Sequence, residues 1–335
     1  MAASSVTKLN RERWDVRVVG FSLVAGLLII RFISAVIVHV NLPDKLQDLI
    51  TLSSSVILES FPFVTLGILL SVAVQVWLPA RKVQAWLPKN GYARRLCISF
   101  LGVLLPVCEC GNLPVARGLI AQGFTVAESV TFLLAAPILN PITLLTTHEA
   151  FPTDSHILIA RAVGALLIAN IIGWLFSKER RSTDVLTKKF IALCKTEDDH
   201  THTKWEHSVD LFARETTSIM PALFVGAVTA GCIQVLVPRS VLLGLGGNAL
   251  LSILAMIVLA LIVSICSNVD AFFVLAFSTT FSVGAVVSFL VFGPMIDVKM
   301  LALMRTTYTM RALLRITVLV TLFTIILGLG VNYGF

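Results

Sequence analysis

Nine apolar stretches, at about 18–40, 49–78, 94–122, 126–147, 156–177, 209–237, 249–279, 281–304 and 312–332, recur along the chain. Each is close to or above the roughly 20 residues that a helix needs to cross a bilayer. No water reaches the hydrocarbon to satisfy backbone groups, so such stretches must bond within themselves, as helices do. Composition agrees. Apolar residues make up 57% of the 335 residues and charged ones 13%, about half the charge of a soluble domain. The chain is predicted to be an all-α integral membrane protein with about seven to nine transmembrane helices, its natural surroundings the lipid bilayer.

The run Val18 to Val40 is too long for a signal peptide, and no A-x-A site follows it. Residues 1–48 therefore read as a basic segment plus the first transmembrane helix. The excess of basic residues, +7 overall, sits in the connections. That excludes a nucleic-acid partner and sets orientation instead. Residues 79–95 hold Arg81, Lys82, Lys89, Arg94 and Arg95, and residues 178–208 hold seven Lys and Arg. Both connections, and the N-terminus with Lys8, Arg11, Arg13 and Arg17, are expected to be cytoplasmic. If every intervening stretch crossed, the two basic connections would lie on opposite faces. The stretch 94–122 is the one expected to re-enter, with Asn90 and Gly123 on the same side. By the same logic 249–279 re-enters from the other face. Nine crossings with discontinuous helices is the alternative, and it violates the charge rule.

The two halves resemble each other. SFPFVTLGILLSVAVQVWLP (Ser60 to Pro79) aligns with IMPALFVGAVTAGCIQVLVP (Ile219 to Pro238). In nearly the same register Asn90 meets Asn248, Cys108 meets Cys266, Pro137 meets Pro294 and Asn140 meets Asp297. Residues 49–177 and 209–335 are thus expected to be two membrane repeats, joined by a cytoplasmic linker at 178–208. The charge pattern gives them opposite orientations. Inverted repeats are a transporter architecture in which broken helices meet at a site near the midplane.

The breaks are where polar chemistry enters the apolar stretches. PVCECGNLPV runs from Pro106 to Val115 and contains Cys108, Glu109, Cys110, Gly111, Asn112 and Pro114. Its partner runs Cys266, Ser267, Asn268, Val269, Asp270. Pro106, Gly111, Pro114, Pro137, Pro141 and Pro294 are read as the structural breaks. The six cysteines do not form the spacing of a disulfide framework, and Cys97 and Cys232 read as packing. Cys108 and Cys110 would point about 200° apart on a regular helix, but on unwound backbone both can face one cavity. Soft thiolates select soft ions. Cys108, Cys110 and Cys266 are therefore the candidate metal or metalloid ligands, and Glu109 could take the protons that thiols lose on ligation. Asn112 and Asn268 are the candidate substrate-binding amides, with Asn112 and Pro114 read as the cap and first turn of a half-helix. An ionisable group within a membrane segment is functional by default. Glu109 and Asp270 are therefore the candidate proton carriers, with Asp297, Glu128, Arg117 and Arg161 secondary. Arg161 and Glu128 are placed near the boundaries, where snorkelling suffices. Cys194, His200, His202 and His207 in the linker match no defined metal site.

The pattern P-x-C-x-C-G-x-x-P, here Pro106, Cys108, Cys110, Gly111 and Pro114, resembles the ArsP-like predicted permeases. The two-half layout and the charged middle loop fit that family across most of the chain. The resemblance implies export of trivalent arsenicals, organoarsenicals or related metalloids across a bacterial inner membrane. The chain is thus expected to be an inverted-repeat secondary transporter, not an enzyme, with no cofactor. No G-x-x-x-x-G-K-[ST] motif occurs, so an ion gradient or a partner would supply energy. A homo-oligomer is compatible with this layout. The rivals are a permease for an anion or sulfur compound and a membrane thiol oxidoreductase; the latter lacks a visible quinone or cofactor signature.

Overall fold

The computed structural model describes residues 43–78, 84–105, 107–179, 182–195, 203–236 and 248–334. The stretch 18–40, the basic N-terminus, Pro106, His200 and His202 lie outside the described residues. The rest is helical. The helices are α1 (Asp44–Trp77), α2 (Gly91–Ser99), α3 (Leu101–Leu104), α4 (Glu109–Ala121), α5 (Val126–Ala135), α6 (Pro141–Ala150) and α7 (Ser155–Ser177). Two short helices follow, α8 (Ser182–Val185) and α9 (Lys188–Lys195). The remainder are α10 (Lys204–Leu236), α11 (Ala249–Val263), α12 (Asp270–Leu275), α13 (Val283–Met295), α14 (Val298–Met304) and α15 (Met310–Gly334). By length and composition α1, α7, α10, α15 and the pair α13–α14 could each cross a membrane.

A long helix, a broken segment, a second broken segment and a long helix occur in that order twice. The matched residues of the two halves have a local physical role. Asn90 caps α2 and Asn248 caps α11, each side chain accepting from the backbone N–H two residues on, at 3.1 and 3.0 Å. Asn140 caps α6 through Ile142 N at 3.0 Å, and Asp297 caps α14 through Met300 N. A helix start leaves N–H groups without partners, and a short polar side chain supplies the missing acceptor. The sequence reading places Pro137, Pro141 and Pro294 as breaks within 126–147 and 281–304. Each stretch is broken, at 136–140 and at the extended pair Ile296–Asp297, so each half has two breaks.

The long helices α1 and α10 run antiparallel, with Gly231 against Ser53 and Leu49 at one end and Trp77 edge-on to Trp205, centroids 5.6 Å apart, at the other. The segment α2–α4 lies against α1 and returns to the end where it started. Gln84 Nε2 donates to Gln122 O at 2.8 Å, Gln122 Nε2 donates to Gln75 O at 2.9 Å, and Arg94 pairs with Glu128 at 2.6 Å. The segment α11–α12 does the same at the opposite end of the bundle. There Ser282 N donates to Ser252 Oγ at 3.4 Å and Asn332 Nδ2 donates to Ser282 Oγ at 3.1 Å.

Residues 182–195 are docked rather than a solvated linker. Leu186 bridges Tyr308, Thr187 N donates to Thr307 O at 2.9 Å, and Val185, Leu186 and Phe190 are buried. Apolar side chains at 185, 186 and 190 favour contact over hydration, and the basic residues around them conceal this in a charge-based reading.

Candidate functional site: a thiol–carboxylate cluster

Helix α3 ends at Leu104, and α4 begins at Glu109 with Cys108 as its extended N-cap residue, φ −69° and ψ 174°. The break is therefore complete at Cys108. Gly111, Asn112 and Pro114 lie inside α4, which corrects their expected roles as breaks, cap and first turn. The first four N–H groups of a helix need no intrahelical acceptor, so the helix can start on cysteine and glutamate. Pro114 is its sixth residue and removes one bond, to the Cys110 carbonyl, without ending it. Gly111 serves close packing. A Cβ there would collide with Val107 Cγ1 and lie 2.5 Å from Phe63 O, and a Cβ on the facing Gly67 would overlap the Gly111 carbonyl. Small residues let two membrane helices approach at backbone distance. Pro141 is the first residue of α6, Pro137 sits in the turn before it, and Pro294 lies one residue before the end of α13. Those three remain at or next to breaks.

The tip of one broken segment meets the tip of the other. The Cys108 and Cys266 thiols and a Glu109 carboxylate oxygen all lie within 4.8 Å of one another. All three residues are at most 3% exposed. Cys110 stands at the edge of this group, donating to Ser60 Oγ at 3.5 Å and lying 3.9 Å from Glu109 Oε1. Glu109 is held from three sides: Ser267 N and Oγ donate at 3.4 and 3.2 Å, and Lys299 Nζ lies 3.1 Å from its other oxygen. Lys299 also lies 3.8 Å from Asp297. Two thiols and one carboxylate form a mixed soft and hard donor set. Once deprotonated, it can hold a soft cation. A buried ammonium beside the carboxylate balances its charge until a ligand competes.

Lys299 and Ser267 are the site residues that the sequence reading missed. Lys299 carried the same signal that picked out Asp270, an ionisable side chain inside an apolar stretch. The serine carries no such signal.

Other predicted residues lie around the cluster rather than in it. Asn112 and Asn140 both donate to Val107 O, each at 3.4 Å. These amides brace the broken backbone. Asn268 accepts from Thr143 Oγ1 at 3.2 Å, tying the second break to α6. Asp270 is locked in a two-pronged pair with Arg161, at 3.0 and 2.6 Å, and Thr147 Oγ1 accepts from the same guanidinium at 2.7 Å. Arg161 is fully buried, so the expectation that it snorkels to a boundary is corrected: a carboxylate partner holds it inside. Glu128 forms a capping box with Thr125 and pairs with Arg94. Arg117 binds Glu215 at 2.8 Å. Among the described residues the Cys108–Glu109–Cys266 group is the one cluster of His, Cys, Asp and Glu able to hold a metal ion.

A family model described as a predicted permease, ArsP_1, matches residues 45–333. The chain is 34% identical over 270 residues to UPF0718 protein YcgR of Bacillus subtilis (strain 168), covering 77% of this chain and 87% of the relative. It is 33% identical over 283 residues to a Streptococcus mutans protein described as a subunit of a two-component membrane permease complex, covering 82% and 92%. A shorter match, 25% identical over 89 residues, is to UPF0718 protein MJ0584 of Methanocaldococcus jannaschii. No solved structure matches the chain. Helices fit to cross a membrane, two broken segments meeting in a buried polar cluster, and a family match over nearly all the described residues agree: the chain belongs to the ArsP_1 family of predicted permeases.

Proposed function

We propose that this membrane permease exports a thiophilic trivalent metalloid or organoarsenical across a bacterial cytoplasmic membrane, with Cys108, Cys110 and Cys266 as its soft ligands. The observation that carries the reading is the convergence of Cys108, Glu109 and Cys266 donor atoms within 4.8 Å at the meeting of two helix breaks. Trivalent arsenic and antimony take sulfur donors in preference to oxygen. Glu109 accepts one of the protons released on ligation and the others leave with the solvent, and Lys299 then loses its partner and re-pairs with Asp297. That exchange of partners gives an ion gradient a means to act on the site. Asp270 is the second proposed proton carrier.

We read the two halves as inverted repeats. Support comes from the shared cap positions and from broken segments that return to opposite ends of the bundle. The end carrying Lys89, Arg94, Lys178, Arg305, Arg311 and Arg315 is the proposed cytoplasmic face, on the charge rule. On that reading the N-terminus is also cytoplasmic. The description of the Streptococcus relative supports a second membrane subunit as partner.

Uptake of a trivalent arsenical into everted vesicles tests the site. Cys108→Ser and Cys110→Ser keep the side-chain shape but offer a hard oxygen, and each abolishes uptake at normal protein level. Cys266→Ser lowers uptake more than Cys97→Ser or Cys232→Ser. Wild-type rates in both Cys108→Ser and Cys110→Ser would remove the thiolate site. A permease for an anion or sulfur compound is then the better reading, and the buried Lys299 ammonium at the same cluster is the observation that favours it.

A further inference from the structure

Nine residues beyond Cys108 on the same helix, Arg117 faces a second site. A cavity of about 220 Å³ lies there between α4, α9, α10 and the turn after α14. Its walls include Arg117, Lys189 and Arg214, with the hydroxyls of Ser218 and Thr306. Arg117 is almost wholly buried, and its plane is fixed by the Phe190 ring, 4.6 Å from the guanidinium carbon. It binds Glu215 through Nε and Nη2 at 2.8 and 3.3 Å, Thr306 and Thr307 through Nη1 at 3.1 Å each, and Ser218 through Nη2 at 3.4 Å. Arg214 is half-exposed and pairs with Asp210 at 2.7 Å. Lys189 is exposed and has no ion-pair partner among the described residues. Three cations thus stand against two carboxylates, Glu215 and Asp210, and the one left over sits on the docked helix α9.

We propose that this cavity binds a phosphate-class anion, either a soluble phosphate or the phosphate of an anionic lipid headgroup. The chemistry fits on three counts. The surplus charge is positive and comes from Lys189, whose ammonium acts as a point charge for phosphate. The Ser218 hydroxyl, which accepts from Arg117 at 3.4 Å, can donate its own hydrogen to the ligand, beside a guanidinium that cannot lose its charge. An apolar ligand would strand all of these groups out of water. A bound phosphate would join Lys189 of α9 to Arg214 of α10, next to the helix that presents Cys108 at its other end. The docked segment would then be fastened to α10 by a ligand, beside α4, whose other end carries the thiol cluster.

The test uses the purified full-length protein and does not depend on transport. Calorimetric titration with inorganic phosphate at constant ionic strength gives saturable binding to wild type. Lys189→Gln/Arg214→Gln keeps side-chain bulk, and it weakens that binding by on the order of tenfold or more, as expected for losing two charge-assisted contacts. Arg311→Gln, an exposed cation away from the cavity, leaves it unchanged. If the double variant does not purify as a folded species, Lys189→Gln alone is used, since it breaks no ion pair. Nanodiscs containing phosphatidylglycerol or only phosphatidylcholine separate the two sources. Binding that appears only as preferential retention of phosphatidylglycerol, lost in the same variants, assigns the site to a lipid headgroup. Absence of saturable phosphate binding together with equal retention of both lipids overturns the proposal. So does undiminished binding in the variant.

Discussion

At the scale of single residues, the clearest case is Gly111, whose role is packing against α1. Gly111→Ala places a methyl group 2.5 Å from the Phe63 backbone oxygen and against the Val107 side chain, so the α1 backbone must shift to admit it. Overpacking of this kind costs about 1–3 kcal/mol. A lowered thermal midpoint in detergent is expected, whereas Gly330→Ala, with nothing within 4 Å of the added methyl, is not expected to lower it. Equal midpoints for the two variants would contradict the close approach of α1 and α4. The Arg161–Asp270 pair makes a second prediction. Both residues are buried, so Arg161→Met leaves an uncompensated carboxylate and costs about 3–5 kcal/mol. Arg161→Met/Asp270→Leu recovers most of that loss, because an apolar pair of similar volume is close to neutral at such a place. A double variant no more stable than Arg161→Met would show that the pair is not an isolated unit. A stable double variant without transport would assign Asp270 a role beyond structure. The cysteines, Glu109 and Asp270 were legible in the sequence because polar groups in an apolar stretch are conspicuous. Lys299 carried the same signal, but which carboxylate it would meet was not legible, because Glu109 lies 190 residues away.

At the scale of helices, the sequence marked the existence of breaks better than their limits. The Pro and Gly of CECGNLP suggested a long unwound loop, yet α4 starts at Glu109 and runs through both residues. Helix starts are permissive of Pro and of missing N–H bonds, so composition overestimates the irregular length. The breaks at 136–140 and at 296–297 are short by comparison: Pro137, Pro141 and Pro294 mark them in the sequence, and a single cap residue, Asn140 or Asp297, restarts each helix. The hairpin course of α2–α4 has its own test. Cysteines placed at Lys89 and Thr125, both exposed, in a background of Cys97→Ser, Cys194→Ser and Cys232→Ser, should react alike with an impermeant thiol reagent. Both stay unlabelled in intact cells and both become labelled in everted vesicles. Labelling of one and not the other from the outside of intact cells would mean that the segment crosses.

At the scale of the whole molecule, the two broken segments meet tip to tip. Each broken segment leaves its own end of the bundle and turns where backbone groups are buried in protein, as membrane depth requires. The tips therefore converge on one another, and Cys108 finds Cys266, 158 residues away in sequence, along with the Glu109 and Ser267 contacts. The cavity beside Arg117 is a product of the same scale, since it needs α4, α9, α10 and the α14 turn together. By itself the sequence determined the class of fold, the approximate course of the described helices and the cap residues that start several of them. These depend on local hydropathy and on cap chemistry, both of which are written along one dimension. Only the tertiary structure decided which charges become partners: Lys299 with Glu109, Arg161 with Asp270 and Arg117 with Glu215. A buried charge must find an opposite one wherever the fold brings it. In these three pairs the partners stand 190, 109 and 98 residues apart, a separation over which hydropathy and spacing carry no information.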